Sequence, residues 1–148
     1  MSRALRSQNG RWALAWLLLT LALASHVLDE ALTDFLSVYN PTVESIRGRQ
    51  PWFPMPTFTF ESWISGLVLV VLVLLALTPC ARRGSSWMRG LSYFFGVFMV
   101  ANALLHMGAS LVLQRWMPGV ISSPLLLAAA LYLLGSVPGE RYSVRAPA

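Results

Sequence analysis

The chain has 148 residues, of which 56% are hydrophobic and only 11% charged. A water-soluble domain carries about 25% charged residues, so this composition excludes a surface that mostly faces water and requires one that mostly faces lipid. The net charge of +5 comes from arginines set in short flanks between apolar runs, a membrane-topology pattern and not the clustered basic face of a nucleic-acid binder. One cysteine, Cys80, excludes an intramolecular disulfide and a CxxC metal site.

Taken in order, the chain offers four apolar stretches, at about residues 12–36, 62–78, 91–113 and 118–137. Spanning helices need about 17–25 residues. The last three suit that requirement directly, and the first does so only by running through Ser25–Glu30. Asn40-Pro41 is expected to stop the first helix, since proline disfavours helix at the residue before it. Pro51, Pro54 and Pro56 should keep the following segment out of a helix. Thr78-Pro79 should close the second helix, and Gly84-Ser85-Ser86 should turn the chain. Pro118 suits the first turn of the fourth helix, and Val137-Pro138-Gly139 its end. The expectation is an all-α protein of one integral membrane domain over residues 1–148, a four-helix transmembrane bundle without internal repeats.

Arginine placement sets the orientation. Arg3, Arg6, Arg11, Arg82, Arg83, Arg89, Arg141 and Arg145 fall on one side, and Arg47, Arg49 and Arg115 on the other. The arginine-rich side should be cytoplasmic. Both termini then lie inside, residues 40–60 form an outer loop, and the protein is a multi-pass component of the cell's inner membrane. Trp52, Phe53, Phe58 and Phe60 are placed to rest at the outer interface, and Trp12, Trp16, Trp63, Trp87 and Trp116 read as interfacial anchors. A rival reading takes Arg3 to Ala24 as a signal peptide with Ala22-Leu23-Ala24 as its cleavage site. The helical pattern continues past that point, which favours a retained span.

The chemistry-bearing residues sit where lipid makes them costly. Ionisable side chains at a helix centre cost about 2.5–3.5 kcal/mol each on insertion scales. His26, Asp29 and Glu30 share one face of the first helix, extended by Thr33 and Ser37. The third apolar stretch carries Asn102 and His106 one turn apart, with Ser110 continuing that side. His26 lies ~22 Å beyond Arg11 along a helix, and His106 ~25 Å beyond Arg89. The two imidazoles should therefore meet in the outer half of a ~30 Å hydrocarbon core. Two imidazoles and a carboxylate suit one divalent metal, zinc with an open position for water or non-haem iron(II). The expected ligands are His26, Glu30 and His106. Asp29 and Glu30 are the candidate acid–base residues, Asp29 alternatively orienting an imidazole, and Asn102, Thr33 and Ser110 are candidates for holding a ligand or substrate. Against this stand two plainer readings. The polar residues would tie helices together through hydrogen bonds worth ~0.6 kcal/mol each, or Asp29 and Glu30 would lie solvated above the interface. Asp34 and Glu61 read as solvated helix-end residues, with extension of the polar site on its outer side as the alternative, and Cys80 as structural.

At these residues the sequence resembles the HXXEE family of small membrane proteins. The motif reads His26-Val27-Leu28-Asp29-Glu30, with Asp in place of the first acid, and is followed by Asn102-Ala103-Leu104-Leu105-His106 and Pro118-Gly119 in the family's order. The resemblance implies a membrane location and a role for His26, Asp29, Glu30, Asn102 and His106, and it supplies no reaction. Three functions remain open: a membrane metalloprotein hydrolysing a lipid-like substrate, a proton-coupled carrier or transport component, and a non-enzymatic adaptor with a polar structural lock.

Overall fold

A computed structural model describes residues 3–139. It contains five helices: α1 (Arg3–Leu32), α2 (Leu36–Arg49), α3 (Phe60–Arg83), α4 (Trp87–Val112) and α5 (Ser123–Ser136). No strand occurs among the described residues. Arg141 and Arg145, counted for the orientation, lie outside them, as does the side chain of Arg3. Three helices, α1, α3 and α4, are long and apolar enough to cross a membrane.

The helix α1 is the central element. Of its most apolar window 56% is buried, against 11% for α3 and 22% for α4. Contact order along the helices fixes their directions. Trp16 near the start of α1 bonds Leu74 late in α3, and Phe35 just beyond α1 stacks on Trp63 near the start of α3. These two are therefore antiparallel. Trp12 meets Ser92, Trp16 meets Phe95 and His26 meets Asn102, a rising register that makes α1 and α4 parallel, as the arginine pattern requires. The last helix, α5, packs against both α1 and α4. Gly96 admits it: a Cβ there would come within 2.7 Å of Leu134.

The tryptophans depart from the sequence expectation. Trp12 and Trp16 are fully buried and Trp63 nearly so, whereas Trp87 and Trp116 are exposed. The indoles of α1 are core because they lie on its face toward the other helices, opposite exposed Leu14, Leu18 and Leu21, and each N–H has an acceptor. Trp12 donates to Ser92 Oγ at 3.0 Å, and Trp16 to the Leu74 carbonyl at 2.8 Å. A buried tryptophan generally needs such a partner.

Both expected proline stops are overturned. Pro41 lies inside α2 and Pro79 inside α3. What ends α1 is a turn at Thr33–Phe35, with Asp34 in the left-handed region at φ 56°. What ends α3 is Gly84, left-handed at φ 76°, whose N–H returns to the Cys80 and Ala81 carbonyls. A left-handed residue reverses the chain and satisfies late carbonyls. A proline removes only its own N–H, which at Pro41 frees the carbonyl of exposed Ser37 to water.

The expected outer loop at residues 40–60 is likewise half helix. Residues 50–59 fold back along α2 and are pinned there. Tyr39 Oη donates to the Pro56 carbonyl at 2.9 Å, and burial pushes its phenol above the ordinary tyrosine pKa despite nearby Arg47. The Asn40 amide makes a two-way clasp with the Phe58 backbone, at 2.9 and 3.1 Å. The Arg47 guanidinium donates to the Met55 carbonyl. Trp52, Phe58 and Phe60 remain exposed, and Phe53 is half-buried.

The fourth apolar stretch is not one helix. Pro118 and Gly119 fall in a non-helical segment, and Pro124 takes the first-turn position expected of Pro118. The 14 residues of α5 reach ~21 Å, short of a ~30 Å core.

The buried indole bonds carry a testable consequence. Trp16→Phe should lower stability in detergent by about 1 kcal/mol, through the lost interhelical bond and the smaller ring in its place. Trp87→Phe should leave the thermal midpoint unchanged. Thermal unfolding of both variants followed by near-UV circular dichroism checks the contrast.

Candidate metal centre

His26, Glu30 and His106 come together as the helical spacing and matched depth require. The rings of His26 and His106 are edge to face with centroids 4.8 Å apart. Glu30 Oε1 lies 3.1 Å from His106 Nε2 and 3.6 Å from His26 Nε2. One ligand atom from each residue falls within 4.8 Å of the other two. Ligands 2.0–2.1 Å from a tetrahedral ion sit ~3.4 Å apart, so two of the three separations already have that scale. His26 and Glu30 are buried, and His106 is partly so.

The hydrogen bonds around the rings fix which nitrogen is free. His106 Nδ1 lies 2.5 Å from the Pro118 carbonyl. A carbonyl only accepts, so Nδ1 carries the proton. For His26, Ser122 supplies the answer. Its hydroxyl donates to Asp29 Oδ2 at 2.7 Å and therefore accepts from His26 Nδ1 at 2.8 Å. Both imidazoles thus turn Nε2 toward Glu30. His106 Nε2 is within hydrogen-bond reach of the Glu30 carboxylate, so a proton or a cation shared between them satisfies the pair. This is the donor arrangement of a metal site whose histidines are held from behind. Asn102 Nδ2 donates to His26 Nε2 at 3.1 Å, so a cation and this amide compete for the same lone pair.

Asp29 therefore stands one step back from the cluster. Its carboxylate accepts from both the Ser122 hydroxyl and, at 2.9 Å, the Ser122 backbone N–H. It orients an imidazole through Ser122, the second of the two roles read from sequence. Thr33 and Ser37 do not reach the centre. They are exposed and return their hydroxyls to the Asp29 and Asp34 carbonyls. Ser110 also belongs elsewhere: its Oγ accepts from the Met117 N–H at 3.0 Å and shapes the turn after α4.

The segment between α4 and α5 supplies what the sequence reading missed. Ser122 and the Pro118 carbonyl hold the two histidines. Gly119, left-handed at φ 80°, presses its bare Cα against the cluster. A Cβ there would lie 2.9 Å from His26 Cε1 and 3.0 Å from both Glu30 Cγ and His106 Nδ1. The Pro-Gly pair was visible as a motif. Its signal was masked by reading the proline as a helix start when the next residue required positive φ. On the outer side, a cavity of about 330 Å³ opens onto Glu30, between the α1–α2 elbow and the start of α3.

Gly119→Ala should be strongly disruptive. It combines about 1–2 kcal/mol of left-handed backbone strain with overlap on three cluster atoms. Gly66→Ala, in α3 with nothing within 4 Å, should be neutral or stabilising by up to about 1 kcal/mol. Paired thermal denaturation in one detergent measures both.

Comparison with known proteins adds one finding. No curated protein and no solved structure matches the chain. A family model described as a protein of unknown function with HXXEE motif matches residues 16–133, which takes in α1 from Trp16 through nearly all of α5 and includes every residue of the cluster. The chain belongs to the HXXEE family.

Proposed function

We propose that this chain is a four-pass inner-membrane protein, with both termini inside, whose outer half holds one divalent metal ion and hydrolyses a lipid-like substrate. The observation that carries the reading is the pair of pinned imidazoles. Each donates Nδ1–H to a fixed acceptor and aims Nε2 at the Glu30 carboxylate. These three atoms converge on one point, as the ligands of a single ion do.

His26 Nε2, Glu30 Oε1 and His106 Nε2 are the ligands, and zinc or iron(II) suits them. Such an ion supplies Lewis acidity and acidifies a water at the position the protein leaves open. The remaining tasks fall to the chain. Asp29 and Ser122 hold the His26 tautomer, and the Pro118 carbonyl holds that of His106. Asn102 occupies the side from which a ligand approaches, placed to orient it. The aromatic walls of the outer cavity, with Phe35, Phe58, Phe60 and Trp63, suit an amphiphile better than a water-soluble metabolite. In the membrane, α5 and the buried turn before it together make the fourth pass. Irregular backbone is tolerated at that depth because protein surrounds it.

Metal content decides the reading. Protein purified in detergent and loaded with zinc, iron(II) or manganese should retain about one equivalent by mass spectrometry. His106→Ala and Glu30→Gln should lose it, and Asn102→Ala should keep it. Asp29→Asn should keep the stoichiometry while weakening affinity about 10–100-fold, the usual cost of removing a group that orients a ligand. A folded wild type that takes up no stoichiometric metal from any of the three would overturn the proposal.

A further inference from the structure

The cavity above the cluster has a chemical character of its own. Its lining includes Glu30, Asp34, Phe35, Phe58, Phe60 and Trp63, and no arginine is among the lining residues. Internal hydrogen bonds remove most of its polar groups from play. The Asn40 amide is spent in both directions on the Phe58 backbone. The Ser37 hydroxyl proton goes to the Asp34 carbonyl. The Asp34 carboxylate makes no hydrogen bond or ion pair among the described residues. With Glu30 paired to the histidines, the side-chain groups left to meet a ligand are the Asp34 carboxylate, which accepts and carries negative charge, and aromatic faces.

That combination selects a cation of one kind. A carboxylate alone would suit any cation, but aromatic faces favour an ammonium, whose charge is attracted by the ring quadrupole within about 6 Å. Phe58 and Phe60 are exposed and able to present their faces. Phe35 and Trp63 are stacked with centroids 5.8 Å apart and back the same wall. The Asn40 clasp holds Phe58 in place. An anionic headgroup would meet the Asp34 carboxylate with no lining arginine to compensate.

We infer that the cavity lined by Asp34, Phe35, Phe58, Phe60 and Trp63 binds an amine or quaternary ammonium group, such as the headgroup of an amphiphile drawn from the outer leaflet. The inference rests on the reading above only in making this amphiphile the substrate. Ammonium binding itself needs no metal. The headgroup sits outermost, and Glu30, shared by the cavity and the cluster, places the bonds next to the headgroup beside the metal ligands.

The test uses full-length protein in a maltoside detergent. Dodecyltrimethylammonium, tetramethylammonium and an uncharged dodecyl ether of the same chain length are titrated by calorimetry. The two ammonium probes should bind saturably, and the long-chain one at least tenfold more tightly than the neutral ether. Asp34→Asn should weaken ammonium binding about tenfold. Asn tolerates the left-handed backbone at this position, so the fold should persist. Phe60→Leu should weaken it about fivefold, and both variants should keep the metal content of the wild type. The ratio of the two ammonium affinities assigns the source: equal values indicate a free amine, and a large preference for the long chain indicates a lipid headgroup. Equal binding of the neutral ether, or Asp34→Asn binding like wild type, would overturn the inference. Ammonium binding that persists in a protein shown to hold no metal would leave the inference standing and remove the metal reading alone.

Discussion

Backbone polar groups inside a membrane protein must find partners within the protein, and this requirement explains the shape of the whole outer half. The chain leaves helix between α4 and α5, and a lipid surrounding would satisfy none of the backbone groups this frees. Its freed groups are taken up by side chains that lipid would otherwise penalise. The Met117 N–H goes to Ser110, and the Ser122 N–H to Asp29. The Pro118 carbonyl goes to His106, and the Gly119 carbonyl to the hydroxyl of Ser123. Broken helix and polar residues are thus one feature. Neither would be stable at this depth without the other.

This division sorts the two readings of the polar residues. Asp29, Ser110 and Ser122 are consumed by backbone and by one another, and they lock the turn in place. His26 and His106 each have Nδ1 consumed in the same way, with Nε2 turned toward Glu30. The lock and the cluster are therefore not rivals. The lock sets the tautomers, and the tautomers bring the three side chains to a common point. Gly119 shows how closely the two are fitted, since the turn approaches the cluster by the bare Cα of a glycine and leaves no room for a methyl group.

Residue type and helical spacing made the cluster legible. His26 and Glu30 are one turn apart on α1, His106 is at matched depth on a parallel helix, and a polar group in a lipid-facing sequence stands out against its background. What the sequence hid depends on φ and on tertiary partners. Prolines looked like the natural stops, yet Asp34 and Gly84 end their helices by turning left-handed, while Pro41 and Pro79 ride inside helices. The tryptophans looked interfacial because their type favours that place. Which ones are core follows from which face of α1 meets the other helices, a fact no single helix carries. Thr33 and Ser37 lay on the correct face by helical projection, but the helix ends before it can aim them, and their hydroxyls return to nearby carbonyls.

The dual nature of α1 follows from the same geometry. Its first half is apolar on both faces: one, through Trp12, Trp16, Leu19, Ala22 and Leu23, forms much of the core, and the other, at Leu14, Leu18 and Leu21, is exposed as a lipid-facing stripe would be. Small residues at Ala22 and Ala24 let neighbours approach. An apolar run after arginines, ending in small residues, is also what a secretion signal looks like. Cleavage after Ala24 would strip those core residues from the bundle and leave His26 as the second residue of a new, charged terminus in place of a helix interior. The continuity of α1 through that point ties the anchor to the chemistry: the half that resembles a signal is the half that holds the other half's histidine and carboxylates at the depth where His106 meets them.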